Sequence, residues 1–332
     1  MKALILEGIN EKLICKETEM PVLQRGEVLV KVAAAAVNHR DLWIQKGQYA
    51  GLKFPVILGS DGCGTVETVA DTVHADWIGK EVVINPSMNW GSNPRVQQKE
   101  YAILGLPDNG TFAQYVKVQA KQLHAKPEHL NAKQAAAIPL AGLTAYRALV
   151  VRARARAGET VLITGIGGGV ALFALQFAVA MGCNVYVTSG SDEKIKRAKE
   201  LGAKGGVNYK TTDWHKTLVQ ESGGFDAIVD GACGDTFAKL TEVAKPGGRI
   251  VFYGATLGAF NSGVPAKIFW KQLDILGSTM GNDEEFAEMI QLVANHKIVP
   301  VVDSVFKMND ASNALEKMEQ SSQFGKLVIQ ID

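Results

Sequence analysis

The chain has 332 residues, of which 47% are hydrophobic and 21% charged, and its formal net charge is +1. This length suits about two domains, and the balanced charge provides no strong field that would attract nucleic acid or an anionic membrane. The apolar stretch before Glu7 is too short for the core of a signal peptide, and the longest apolar segment, Val170 to Gly182, is shorter than a bilayer span. The sequence therefore predicts a cytoplasmic protein that binds neither nucleic acid nor membrane.

The first 120 residues are typical of a β-rich domain. Short apolar runs are separated by glycine and proline, and no long helical period lies between them. The predicted strands are "EVLVKVAAAAV", "GCGTVETVA", "KEVVIN" and "TFAQYVKV".

From about Asn131 strands and helices alternate. The predicted order is "TVLITG", a helix over Val170 to Met181, "NVYVTS", a helix over Asp192 to Leu201, "FDAIVDGA", a helix from Asp235, "RIVFYGA" and "LDILGS". Such alternation predicts a parallel sheet covered by helices on both faces. Beyond Gly281 we expect the helix "EEFAEMIQLVANHK", a helix over Ala311 to Met318 and a closing strand "KLVIQI" that returns to the first domain. The predicted division is a β-rich domain at 1–125, an α/β domain at 126–265 and a C-terminal segment at 266–332 that returns to the first domain.

A glycine-rich turn joins the strand at Thr160 to Thr164 to the apolar helix that follows. The turn carries Gly165, Gly167, Gly168 and Gly169, with Val170 next. A dinucleotide pyrophosphate needs a tight turn, a close backbone approach and free N–H groups at a helix N-terminus, and this arrangement provides all three. The sequence therefore predicts a dinucleotide site here.

The end of the next strand decides between NADPH and NADH. An NAD site would place a carboxylate there for the ribose hydroxyls, whereas this chain has Ser189 and Ser191, followed by Lys194. Hydroxyls and a cation suit a 2′-phosphate, and we interpret Asp192 as the N-cap of the next helix. NADPH is therefore predicted, and Tyr209 either lies along the same phosphate or simply packs.

Several motifs together resemble the medium-chain dehydrogenase/reductase family across essentially the whole chain. They are "NHRDLWIQKGQY", "PVILGSDGCGTV", "GTFAQYV", "IPLAGLTAYRAL", "VLITGIGGGV" and "FGKLVIQI". The resemblance implies an α/β fold with a Rossmann doubly wound parallel sheet and a β-rich GroES-like catalytic domain. It also implies further cofactor contacts where strands end, with ordinary turn chemistry as the alternative. These positions are Thr144, Gly231, Gly254, Ala255, Thr256, Ser278, Thr279 and Met280.

The resemblance also locates where zinc-dependent relatives hold their catalytic metal. Those enzymes carry Cys, His and Cys where this chain has Asn38, Ser60 and Leu140, none of which suits the usual site. The structural-zinc lobe has no cysteine either, and the chain's four cysteines are widely spaced. No metal is therefore predicted; His39 is interpreted as a neighbour of the site or of the cofactor phosphate, and Asp41 as orienting its loop.

Without a Lewis acid, the feasible acceptors are those already made electron-poor by conjugation. In the quinone oxidoreductase branch of the family, Asn38 would lie in the nicotinamide and substrate pocket, with Trp43 and Tyr49 as aromatic walls. Tyr49 or a water could donate the proton, although both aromatic residues could equally belong to the core.

The sequence thus predicts a zinc-independent, NADPH-dependent reductase of quinones or α,β-unsaturated carbonyls. Strands "RIVFYGA" and "LDILGST" lie where relatives extend their sheets across a two-fold axis, so a homodimer is predicted. One alternative is an alcohol dehydrogenase or aldehyde reductase of the same family. Another is a non-catalytic NADPH-binding protein, by analogy with the lens crystallins in the family.

Overall fold

The computed structural model describes residues 1–260 and 265–332. The chain divides into two compact units: unit 1 comprises Met1–Leu143 and Gly281–Asp332, and unit 2 comprises Thr144–Met280. Across the described residues, every helix is too short or too polar to cross a membrane.

The first part of the chain builds most of unit 1. Its strands are β1 (Lys2–Leu6), β2 (Ile14–Glu17), β3 (Glu27–Ala36), β4 (Val56–Ile57), β5 (Asp61–Val69), β6 (Glu81–Ile84), β7 (Ser87–Met88), β8 (Ala102–Ile103), β9 (Tyr115–Gln119) and β10 (Leu123–Ala125). Its helices are α1 (His39–Gln45) and α2 (Ala132–Ala136), and the next helix, α3 (Pro139–Tyr146), runs past the division at Leu143 into unit 2. α3 continues into a π-helical stretch, Arg147–Arg152.

Strands and helices then alternate through unit 2. They are β11 (Thr160–Ile163), α4 (Gly169–Ala180), β12 (Asn184–Ser189), α5 (Asp192–Glu200), β13 (Gly205–Asn208), α6 (Trp214–Ser222), β14 (Phe225–Asp230), α7 (Phe237–Val243), β15 (Ala244–Phe252), α8 (Pro265–Lys271) and β16 (Asp274–Gly277). The chain re-enters unit 1 with α9 (Asp283–Asn295), β17 (Val302–Lys307), α10 (Ala311–Glu319) and β18 (Lys326–Gln330). Short 3-10 turns lie at Thr72–Trp77, Ala120–Gln122, Gly234–Thr236 and Met308–Asp310.

The main sheet of unit 1 places the C-terminal strand beside the segment that precedes α1. Its order is β10-β6-β5-β3-β18-β17, with β9 also paired to β3. β18 runs antiparallel to β3, with Val328 opposite Ala36, which confirms that the closing strand returns to the first domain. Because β18 begins at Lys326, that side chain lies where β3 ends and the Asn38 loop starts.

The sheet of unit 2 confirms the doubly wound α/β prediction. All its strand pairs are parallel, in the order β13-β12-β11-β14-β15-β16, which is the strand order of a Rossmann fold. Every residue of β11 is buried, as expected of a parallel strand covered on both faces.

The two units divide later in the chain than the segment boundaries predicted from sequence. α2 packs on β3 and β5, so unit 1 continues past residue 125. β16 extends the parallel sheet by pairing with β15, so unit 2 continues past residue 265. Helix α1 was not predicted from the sequence, because a seven-residue helix is too short to show a clear apolar period.

Candidate cofactor site and candidate active site

The glycine turn of unit 2 has the geometry that an anion site needs. Gly165 and Gly167 have φ of +63° and +127°, which favour glycine. Gly168 is the N-cap of α4, and Gly169 and Val170 are its first residues. A Cβ atom at Gly165 or Gly168 would meet no atom of the described residues within 4 Å, so the described part of the chain leaves room for a phosphate at the N-terminus of α4.

The end of β12 shows a difference from the sequence prediction. The N-cap of α5 is Ser191, whose Oγ accepts from the Lys194 N–H at 3.4 Å. The assignment of this role to Asp192 was therefore wrong: serine caps as well as aspartate does, and it stands at the position from which a side chain reaches the third helical N–H. The Asp192 carboxylate instead accepts from Asn208 Nδ2 at 3.1 Å.

The side chains predicted to select NADPH lie near two glycine-containing loops, Lys194 at the glycine turn and Tyr209 at the loop after β12. A Cβ at Gly167 would lie 2.8 Å from Lys194 Cδ and 3.2 Å from its Nζ, so Lys194 reaches back onto the turn. A Cβ at Gly190 would lie 2.8 Å from the Tyr209 hydroxyl and 2.9 Å from Lys210 Cε. Lys210 was missed in the sequence, although it directly follows Tyr209 in "VNYK".

Ser189 Oγ is buried below these side chains. It donates to the Ile166 carbonyl at 3.4 Å and accepts from the Ser191 N–H at 3.2 Å. Ser189 therefore fixes the loop between β12 and α5, and Gly190 and Ser191 in that loop are half-buried.

The other predicted cofactor contacts gather at the carboxyl ends of β14, β15 and β16. Thr256 donates to the Gly231 carbonyl through N at 3.4 Å and Oγ1 at 3.3 Å. A Cβ at Gly254 would lie 2.9 Å from the same carbonyl oxygen, so these two loops need glycine to approach each other. Ala255 lies within the second loop.

The segment after β16 carries an unsatisfied polar atom. Ser278 Oγ is buried and has no hydrogen-bond partner among residues 1–260 and 265–332, while the Ser278 N–H donates to the Phe252 carbonyl at 3.0 Å. Thr279 follows it, and Met280 Sδ accepts from Thr144 Oγ1 at 3.7 Å. An unpaired buried hydroxyl is costly, and a bound ligand at this sheet edge would satisfy it.

In unit 1, the loop before α1 is organised by a buried carboxyl group. Asp41 Oδ2 accepts from the Asn38 N–H at 2.8 Å, and Oδ1 accepts from the Gly59 N–H at 3.4 Å. This confirms that Asp41 orients the loop through backbone hydrogen bonds. Burial raises the pKa of the Asp41 carboxyl to about 6, and the nearby Arg40 guanidinium opposes that rise.

Asn38, Asp61 and Lys326 form a buried polar group, which we call the Asn38 cluster. Asn38 Nδ2 donates to Asp61 Oδ2 at 3.0 Å. Lys326 Nζ donates to Asn38 Oδ1 at 2.5 Å, Asp61 Oδ2 at 3.0 Å and the Val37 carbonyl at 2.9 Å. The other Asp61 oxygen accepts from the Leu140 N–H at 2.7 Å. Lys326 was missed as a site residue, although a lysine opening the apolar strand "KLVIQI" signals a buried partner.

Ser60 is held by a second buried cation. Its Oγ accepts from Arg40 Nη1 at 2.8 Å and donates to the Leu104 carbonyl at 2.7 Å. Arg40 Nη1 also donates to Leu104 O at 2.9 Å, and its Cζ lies 5.2 Å from the Tyr49 ring centroid. The Ser60 hydroxyl thus both accepts and donates a hydrogen bond, and Arg40 lies over one face of the Tyr49 ring.

The aromatic side chains predicted as pocket walls lie on and after α1. Trp43 and Tyr49 are both half-buried, and Tyr49 packs against the apolar core of unit 1. The Trp43 ring centroid lies 6.0 Å from that of His39. Burial, and then the nearby Lys326 ammonium, lower the pKa of the His39 imidazole, so this ring is neutral near pH 7. Contact of Trp43 and Tyr49 with substrate stays a prediction.

Within residues 1–260 and 265–332, no group of three or more His, Cys, Asp or Glu side chains is arranged to hold a metal ion. At the three positions that the family resemblance matches to catalytic zinc ligands, the side chains are an amide bonded to an ammonium, a hydroxyl bonded to a guanidinium, and an alkyl group.

Comparison with known proteins agrees with this architecture. Residues 24–128 match the family described as alcohol dehydrogenase GroES-like domain, and residues 169–295 match the family described as zinc-binding dehydrogenase. The zinc-type alcohol dehydrogenase-like protein YogA of Leptosphaeria maculans is 41% identical over 92% of this chain and 91% of its own.

Two solved structures extend the comparison. An NAD-dependent alcohol dehydrogenase superposes with a TM-score of 0.93 at 35% identity and covers 100% of both chains. A crotonyl-CoA carboxylase/reductase superposes with a TM-score of 0.90 at 28% identity over 100% of this chain and 88% of the other. The chain therefore belongs to the medium-chain zinc-type alcohol dehydrogenase family, as an alcohol dehydrogenase-like oxidoreductase.

Proposed function

We propose that this protein is an NADPH-dependent reductase of quinones or α,β-unsaturated carbonyls that works without zinc. The observation that carries the proposal is the set of side chains at Asn38, Ser60 and Leu140. Each differs from the thiolate and imidazole ligands that hold catalytic zinc, and two of them are already bound to buried cations.

The electrostatics at these positions oppose a divalent cation. The Lys326 ammonium and Arg40 guanidinium are both buried, and each contacts a side chain that would have to bind the metal. A Zn²⁺ ion brought there would meet two positive charges at close range in a poorly solvated environment, where charge repulsion is strong. The residues present therefore do not fit a catalytic zinc.

Without a Lewis acid, the acceptor must bring its own electron deficiency. A quinone or an enone accepts hydride at a conjugated carbon, and the negative charge moves to an oxygen that hydrogen bonds can stabilise. The resemblance to a crotonyl-CoA carboxylase/reductase supports this class, since a crotonyl group is an α,β-unsaturated acyl group.

The residues present fit a dinucleotide, and the loop after β12 favours NADPH. The pyrophosphate would lie on the open N-terminus of α4, at Gly165 to Gly169. Ser191, Lys194, Tyr209 and Lys210 would hold the 2′-phosphate. Asp192, the carboxylate that could repel it, is engaged by Asn208.

The chain's own residues then have separate roles. The reduced nicotinamide supplies the hydride when NADPH is bound. Asn38 donates a hydrogen bond to the acceptor oxygen, Trp43 and Tyr49 form the flat walls for a planar acceptor, and Tyr49 or a water delivers the proton. We also propose that the protein is cytoplasmic.

An alcohol dehydrogenase or aldehyde reductase activity is the second candidate, because the relatives with 41% and 35% identity are named as such enzymes. The two candidates differ in the acceptor. Loss of NADPH absorbance is measured with metal-free enzyme and a panel of quinones, enals and simple aldehydes, with NADH in parallel.

Turnover with conjugated acceptors and NADPH supports the proposal. Activity only with simple aldehydes, or only after zinc is added, refutes it in favour of the second candidate. Tight NADPH binding without turnover of any acceptor refutes both and supports a non-catalytic NADPH-binding protein.

We also propose a homodimer formed at the edge of the unit 2 sheet. β16 is an edge strand in the sheet order of the described residues, so another strand can pair with its outer side, apart from the Gly277 carbonyl, which accepts from Arg152 Nε at 2.9 Å. On the helix that precedes it, Phe269 and Trp270 are 66% and 83% exposed. A second copy of this chain would cover both the edge and these rings.

A further inference from the structure

Lys326 is a buried cation whose hydrogen-bonding capacity is already used. Lys326 is only 4% exposed, and the residues that follow it on β18, Leu327 to Ile329, are apolar and buried. A lysine ammonium has three donors, and this one bonds to three acceptors: Asn38 Oδ1, Asp61 Oδ2 and the Val37 carbonyl. Lys326 therefore has no donor left for a substrate, and any effect on catalysis passes through its partners.

The two charges fix which way the Asn38 amide faces. An ammonium has no acceptor and an ionised carboxylate has no donor. Only one orientation satisfies both, with Oδ1 toward Lys326 and Nδ2 toward Asp61. The reverse orientation would place N–H groups against the ammonium and a carbonyl against the carboxylate, so the amide is locked.

The locked amide keeps one donor unused. Asn38 Nδ2 carries two hydrogens, and its bond to Asp61 uses one. No other acceptor for this nitrogen lies among the described residues. An ammonium bonded to Oδ1 draws electron density from the amide, which strengthens the remaining N–H as a donor.

We propose that Lys326 and Asp61 are positioning residues that aim and polarise the remaining Asn38 Nδ2–H toward the acceptor oxygen that gains negative charge. This inference rests on the proposed reduction of conjugated acceptors. It gives the metal-free site a specific electrophile: a neutral amide activated by a buried cation. It also explains why a charge is retained in an apolar strand, where a hydrophobic side chain would serve stability as well or better.

The main test removes both charges together. Lys326→Met alone would leave the Asp61 carboxylate buried and unpaired, which can unfold a protein. The double variant Lys326→Met/Asp61→Asn avoids this and keeps an acceptor for the Leu140 N–H. We expect its kcat for a quinone or enone to fall about 100-fold, the scale of losing one oxyanion donor, with KM and NADPH affinity changed less than about threefold.

Three controls separate positioning from a general loss of structure. Lys326→Arg in the wild-type protein keeps the positive charge and should retain most of the wild-type kcat. Lys317→Met removes another partly buried lysine of unit 1, paired with Asp303, and should leave kcat unchanged. Adding Asn38→Ala to the double variant should cost nothing beyond Asn38→Ala alone, because the charges act through that amide.

A binding measurement makes the inference testable apart from turnover. 4-Nitrophenolate, a stand-in for the charged acceptor oxygen, should bind the wild-type enzyme about tenfold more tightly than the double variant. Equal kcat and equal phenolate affinity in the two proteins would overturn the inference, as would additive losses with Asn38→Ala. If the wild-type enzyme reduces no conjugated acceptor, the proposed function fails, and the phenolate comparison alone then decides on the role of the cluster.

Discussion

Asp41 makes the stability of unit 1 depend on pH in a direction that a salt-bridged carboxylate would not. Its carboxyl group is fully buried and bonded to two backbone N–H groups. Burial raises its pKa from 3.8 to about 6, with a smaller contribution from Asp61, even though Arg40, the hydrogen bond from the Asn38 N–H and Lys326 all lower it. The native protein therefore holds a proton between pH 3.8 and about 6 that the unfolded chain has released.

The magnitude follows from this window. A difference of about two pH units corresponds to roughly 3 kcal/mol, since each unit of pKa is about 1.4 kcal/mol. Below the window both states are protonated and Asp41 has no effect on the pH dependence. As the pH rises from 4 to 6 the unfolded state loses its proton first, so stability falls, and above about 6 the full cost is present.

The perturbation is Asp41→Asn, which keeps an acceptor for the Asn38 N–H and cannot ionise. Urea unfolding of both proteins is followed by tryptophan fluorescence between pH 4 and pH 7.5. The wild type should lose roughly 2.5 kcal/mol of unfolding free energy relative to the variant across this range, somewhat less than the full value because the unfolded carboxyl is already largely ionised at pH 4. Other titrating groups, including Asp283 with its raised pKa, contribute equally to both proteins and cancel. Parallel curves would refute the reasoning, and a wild type that gains stability relative to the variant would show that Arg40 and Lys326 outweigh burial.

Four further outcomes are expected. Lys194→Ala and Lys210→Ala should each weaken NADPH binding about tenfold and leave NADH binding unchanged. Both affinities are measured by fluorescence titration, and equal losses for the two cofactors would show that the lysines contact another part of the nucleotide. Gly167→Ala should lower the free energy of unfolding by about 1–3 kcal/mol, measured by chemical denaturation, because a φ of +127° strains a residue with a Cβ atom and the flexible Lys194 side chain would also have to move; an unchanged value would contradict the turn geometry. Protein that is purified, exposed to zinc and dialysed should retain far less than one zinc ion per chain by elemental analysis. One bound zinc ion per chain that also activates the enzyme would refute the zinc-free proposal. Trp270→Glu should shift the protein from dimer to monomer in sedimentation velocity, and an unshifted dimer would move the interface away from α8.

Local sequence signals were sufficient for the fold of unit 2. The apolar run of β11, the glycines after it and the helix that starts at Gly169 each follow from the neighbouring residues. Asp192 was misassigned because the choice between two adjacent capping residues depends on backbone angles that composition does not reveal. Lys210 was overlooked for a related reason, since its place beside Gly190 depends on how the end of β13 pairs with β12.

The Asn38 cluster could not be assembled from sequence because its members are distant along the chain. Lys326 lies 265 residues from Asp61 and 288 from Asn38, and only the pairing of β18 with β3 brings them together. What sequence could provide was the set of substitutions at the metal positions, and the structure gives these a common electrostatic basis. Arg40 binds Ser60 and Lys326 binds Asn38, so restoring a histidine or a cysteine alone would place a ligand beside a buried cation. Under the proposed function, the two cations therefore belong together with the side chains at the metal positions. A metal site would require removing both positive charges and replacing the ligands at the same time. Removing the charges alone would leave Asn38 without the groups that orient it.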